Sequence, residues 1–106
     1  MVLEQLSECD EFKLGQLVIS KMGRDRGRLC VVVRRLDDCA VLIADGRTHM
    51  FSRPKRKNVK HLIKLNNVDE SLADRLGRGS EVTDREIAEV LDGYRAKDGK
   101  GAKTLA

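Results

Sequence analysis

The chain has 106 residues and a mass of 11.9 kDa, room for one small domain with an appendage rather than for two independent cores or a large enzyme cleft. Aromatic residues are 3% of the chain (Phe12, Phe51, Tyr94) and tryptophan is absent, so the core has to be small and aliphatic. The net charge of +4 is unevenly spread: residues 46–68 hold seven Lys or Arg and no Asp or Glu, while 1–45 hold seven against eight and 69–106 seven against nine, so one central segment carries the cationic excess.

In chain order, residues 1–12 are short, acidic and weakly amphipathic, and read as an N-terminal arm. From Gly15 the pattern becomes that of β-structure. Gln16 to Ser20 contains Leu17, Val18 and Ile19; MGRDRGR interrupts; Leu29 to Val33 is continuously apolar. Asp37 and Asp38 supply turn chemistry, Ala40 to Ala44 is a third strand, and Asp45-Gly46 is a hairpin signal leading into a short strand over Thr48 to Phe51. Arg53-Pro54 breaks that strand, and Val59 to Leu65 supplies the fifth. Five short strands with closely spaced turns predict a mainly β fold, a small five-stranded barrel over residues 13–66.

Beyond Leu65 the periodicity is helical, and two short C-terminal helices are expected over residues 67–96. Asn67 is a candidate cap for the first, with Leu72, Ala73 and Leu76 on one side. The second opens with the capping box Thr83-Asp84-Arg85-Glu86, with Val82 and Ile87 placed as a hydrophobic staple. Its apolar stripe, Ile87, Val90, Leu91 and Tyr94, either packs on the barrel or faces a protein partner. Residues 97–106, KDGKGAKTLA, read as a flexible solvated tail.

No apolar run reaches about 18 residues and the acidic start is unlike a signal peptide, so a cytoplasmic protein without membrane contact is expected. Cys9, Cys30 and Cys39 are odd in number and scattered, which suits reduced thiols. No C-x-x-C or H-x-x-x-H pair joins them to His49 or His61, so neither a metal nor another cofactor is expected.

The segment GQLVISKMGRDRGRLCVVVRRLDDCAVLIADG carries a resemblance. Gly15, the apolar Val18 and Ile19, a loop with Gly23 and Gly27 followed by Arg28, and a valine-rich strand resemble the KOW motif of SH3-like barrels. That motif occurs in ribosomal large-subunit proteins and in transcription factors of the NusG type, and the likeness is strongest to the L14e, L6e and L27e group. Arg26 stands where many members have lysine. The resemblance covers about residues 13–65 and implies an SH3-like barrel that binds ribosomal RNA in translation or ribosome assembly.

The residues support a polyanion site without the family name. Gly23 and Gly27 allow a tight loop, and Lys21, Arg24, Arg26 and Arg28 surround it with cations. Solvated arginines, one of them paired with Asp25, are the plainer reading of that loop. Arg47, Arg53, Lys55, Arg56, Lys57 and Lys60 follow with no carboxylate between them. Only Phe51 among the aromatics lies in this segment, so phosphate and shape recognition of structured RNA is expected over base stacking.

The expected protein is therefore non-catalytic, contacting ribosomal RNA or the ribosome through these ten cations. An alternative is a protein-interaction module of the elongation-factor type, binding a polymerase or a ribosomal protein. An enzyme is disfavoured because no paired carboxylates lie in an apolar setting and no nucleophile motif or phosphate-binding GxxxxGK[ST] is present.

Overall fold

The computed structural model describes residues 12–37 and 39–105, with side chains as far as residue 95. The expected arm over residues 1–12, except Phe12, and the turn residue Asp38 lie outside the described part. Five strands, β1 (Gln16–Ser20), β2 (Leu29–Arg35), β3 (Ala40–Ala44), β4 (Lys55–Asn58) and β5 (Leu62–Val68), form one antiparallel sheet in the order β4-β3-β2-β1-β5. Two helices follow, α1 (Glu70–Gly77) and α2 (Asp84–Leu105).

The connection from β4 to β5 dictates the shape of the sheet. These strands are its two opposite edges, yet a 3-10 turn of three residues, Val59–His61, joins them. In a flat sheet the edges would lie about 19 Å apart, four strand spacings of ~4.8 Å. Three residues of 3-10 helix advance about 6 Å. The sheet therefore curls until its edges approach, giving a small barrel-like body. Val59 N donates to Cys39 O at 2.8 Å beside β3, and Lys21 N donates to His61 O at 2.9 Å beside β1, which fastens the turn at both ends.

Both faces of the central strands are buried, and this explains the unbroken apolar run of β2. Inside the curl, Val18, Cys30, Val32, Val41 and Ile43 pack with Phe12, Val59 and Leu62. On the outer face, Leu17, Leu29, Val31, Val33 and Ala44 pack with Leu72, Val82, Ile87 and Leu91 from the helices. Alternate residues of one strand thus serve two cores. The pairing of β2 with β3 shifts register between Val32 and Arg34, at the last of these buried residues. A second shift, between Gln16 and Val18, is stitched by the buried Gln16 amide, which donates to Leu65 O and to Asn67 O. The Cys30 thiol sits in the inner core, where burial, with the charges of Asp45 and Asp25, pushes it up to about 12. It stays an apolar packing group.

Three local expectations are corrected. Thr48 to Phe51 forms no strand, because the Asp45 carboxylate accepts the N–H groups of Arg47, Thr48 and His49 at 2.8 to 2.9 Å and takes those donors from any ladder. The fourth strand is instead the cationic Lys55–Asn58, an edge strand that pairs only with β3. The fifth begins at Leu62 and reaches Val68, so Asn67 cannot cap α1; Asp69 does, its Oδ1 accepting Leu72 N at 2.9 Å.

The capping box of α2 forms reciprocally: Glu86 N donates to Thr83 Oγ1 at 3.1 Å and Thr83 N to Glu86 Oε1 at 2.9 Å. Val82 and Ile87 are both buried beside it. The backbone of α2 runs on past Tyr94 through residues 97–105, the stretch expected as tail. Each helix start is seated on a glycine of the barrel. Gly46 has φ +77°, and a Cβ there would stand 2.3 Å from Asp84 O at the start of α2. Gly15 meets the start of α1 in the same way, a Cβ there standing 2.8 Å from Asp69 O. Arg75 of α1 and Glu86 of α2 then pair at 2.7 Å to join the two helices.

Candidate nucleic-acid interface

The loop between β1 and β2 folds as a 3-10 turn, Gly23–Asp25, closed by Gly27 N donating to Ser20 O at 2.7 Å and Arg28 N to Asp25 O at 2.8 Å. Gly27 sits at φ +83° with nothing within 4 Å of a built Cβ, so backbone geometry alone requires glycine there. Three neighbouring segments hold this loop. Lys21 is tied to His61 through the backbone, Lys57 Nζ donates to Met22 O at 3.3 Å, and His49 Nε2 stands 3.0 Å from Asp25 Oδ1. Gly23 lies against β4 as well, its Cβ direction 3.7 Å from Lys57 Nζ. The two cationic segments, far apart in sequence, are therefore contiguous in space.

Beneath them lies a buried ionic centre. Asp25 is 9% exposed and Asp45 5%. Around Asp25 stand Arg28 Nε at 3.5 Å, His49 Nε2 at 3.0 Å and Lys57 Nζ at 3.6 Å, and Arg28 Nη1 reaches Asp45 Oδ2 at 3.2 Å. Burial works to raise both carboxyls, but it is outweighed at Asp25 by the His49 hydrogen bond and the charges of His49, Lys57 and Arg28. At Asp45 it is outweighed by the amides of His49, Arg47 and Thr48 and by the Arg28 hydrogen bond. Both carboxyls end below their ordinary value and stay ionised.

The cations singled out from sequence thus divide into two sets. Lys21, Arg24 and Arg26 on the loop, and Arg53, Lys55, Arg56 and Lys60 on the β4 side, are exposed and form no ion pair with a described residue. Arg28 and Lys57 are turned into the ionic centre. Arg47 points the other way, its Nη2 2.8 Å from Asp92 Oδ2 on α2. Only the local pairing of a loop arginine with Asp25 is legible in sequence; the partners of Lys57 and Arg47 come from elsewhere in the chain. Asp45 and His49 organise this centre, and the local sign of them in the sequence is the Asp45-Gly46 pair, a hairpin signal that does not disclose the role.

The helix stripe, expected either to pack on the barrel or to face a partner, lies against the sheet. Ile87 is fully buried and Leu91 1% exposed, and Val90 and Tyr94 pack at the margin of the same outer core. Phe51 is half-buried against that core, and its N–H donates to Asp84 Oδ1 at 2.6 Å. Both contacts hold residues 45–54 against the start of α2. Among the described residues no helix is long and apolar enough to cross a membrane, and no cluster of three metal-ligating side chains occurs.

No protein-family model matches the chain. It is similar to curated proteins named large ribosomal subunit protein eL14. One, from Hyperthermus butylicus, is 28% identical over 80 residues, covering 76% of this chain and 74% of the relative. Another, from Staphylothermus marinus, is 34% identical over 56 residues, 53% of this chain and 58% of the relative. A third, from Desulfurococcus amylolyticus, is 30% identical over 50 residues, 47% and 52%. The matches thus span about three quarters of the first relative and just over half of the other two.

Proposed function

We propose that the chain is a non-catalytic, ribosome-associated RNA-binding protein, which grips structured ribosomal RNA in the cytoplasm by its phosphates. The observation that carries this reading is the juxtaposition of the β1–β2 loop with β4: seven exposed cations free of ion pairs with described residues, on two segments fastened to one another. The similarity to eL14 large-subunit proteins supports RNA over DNA and the ribosome over other hosts. Guanidinium and ammonium groups on a rigid support match phosphate oxygens in register, and the scarcity of aromatics favours backbone and shape recognition over base reading. Residues 13–66 act as the KOW-type RNA-binding unit, and residues 67–96 brace it from outside.

The test is binding of a folded large-subunit rRNA fragment by a variant with Arg53, Lys55, Arg56 and Lys60 all changed to alanine. These side chains are exposed, so thermal stability should be unchanged while affinity falls by about 100-fold or more at moderate salt, as expected for four lost phosphate contacts. Retention of affinity would remove β4 and its flanks from the interface.

A further inference from the structure

The RDR sequence at Arg24 to Arg26 places one carboxylate between two exposed arginines. On a phosphate-binding surface an acid is a Coulombic liability, so its presence calls for a reason. Asp25 points inward and is 9% exposed, whereas its two neighbours point to solvent. Its carboxylate is met by side chains from three other places in the chain: Arg28 before β2, His49 from the loop after β3, and Lys57 from β4. Its own carbonyl accepts Arg28 N at 2.8 Å and closes the turn.

We infer that Asp25 is the positioning residue of the cationic surface, a buried anchor that fixes the β1–β2 loop against β4 so that Arg24 and Arg26 are held outward beside that edge strand. The inference rests on the phosphate-binding reading of that surface. The carboxylate touches no RNA itself. Because the anchor is drawn inward, the residues on either side of it are held outward. Two of the side chains that meet it, His49 and Lys57, come from outside the loop, so loop and edge strand move as one body. The ordering cost of the loop arginines is then met in the free protein, which leaves more of their phosphate contacts for binding.

Coulomb's law and the anchor make opposite predictions for Asp25→Asn. Removing a negative charge should tighten RNA binding; releasing the loop should weaken it. Binding of the folded rRNA fragment is expected to weaken about tenfold, with the log-log salt slope shallower by about 1.4, the value of two phosphate contacts. In a chain already carrying Arg24→Ala and Arg26→Ala, Asp25→Asn should have no further effect, because the residues it positions are gone. His49→Leu cuts the same anchor without removing a carboxylate, and should weaken binding in the same direction with the same dependence on Arg24 and Arg26. Tighter or unchanged binding in Asp25→Asn, or an equal loss in both backgrounds, would overturn the inference.

Hydrogen exchange keeps this result separate from the RNA-binding reading. Without RNA, the amides of Arg26, Gly27 and Arg28 should exchange faster in Asp25→Asn and in His49→Leu, while Val41 and Ile43 in β3 stay protected. Unchanged loop protection overturns the anchor even if RNA binds. If the unaltered chain fails to bind rRNA, the functional reading is lost, and the exchange measurement still decides whether Asp25 holds the loop.

Discussion

Asp25 and Asp45 are the residues on which the cationic half of the molecule is built. Each is a carboxylate taken out of water, which is tolerated because every partner is a cation, a histidine or an amide. Their folded values lie below the ordinary 3.8, so they stabilise the fold fully above that pH. The contribution is lost as pH falls from there through the lowered folded values. Thermal melting should therefore drop as pH falls below about 4, and the Asp25→Asn, Asp45→Asn double variant, less stable at neutral pH, should show a shallower drop. Equal pH dependence in the two proteins would show that these carboxylates are not the acid-sensitive groups.

Helix α2 braces the loop after β3 from outside the barrel. The start of α2 lies directly on Gly46, and Asp84 accepts the N–H of Phe51, so one helix end fixes both ends of the 46–51 loop. Gly46→Ala would place a methyl group 2.3 Å from Asp84 O on a backbone at φ +77°. The expected cost is about 2 kcal/mol or more, from the left-handed backbone and the displaced helix end together, read as a lower denaturant midpoint. Gly27→Ala, with the same sign of φ and open space around it, should cost about 1 kcal/mol. If the two substitutions cost the same, α2 is not seated on that loop.

The elements differ in how far they could be read from sequence. The apolar run of β2 and the capping box of α2 were legible because each is a local pattern with one physical cause. β4 was not, since an edge strand of Lys-Arg-Lys-Asn has no apolar alternation, and its pairing depends on β3 already being in place. The α1 cap is Asp69, two residues beyond Asn67, because β5 runs longer than its apolar positions suggest.

Over the whole molecule, +4 is the residue of a larger separation of charge. Seven exposed cations that form no ion pair with a described residue lie on the β1–β2 loop and around β4, while acidic groups such as Glu86, Glu89 and Asp92 belong to α2. The cationic segment was visible in sequence, but the division of its members was not. Arg47 finds Asp92 from 45 residues away and Lys57 finds Asp25, pairings that exist only after the sheet has curled. What remains is a smaller set of exposed cations than sequence suggested, held on a stiffer support.

The most direct test is the salt dependence of binding to a folded large-subunit rRNA fragment. With about five of the seven exposed cations engaged, a plot of log affinity against log salt should fall with a slope of about −4. A slope near zero, with affinity maintained at high salt, would contradict a phosphate-reading surface.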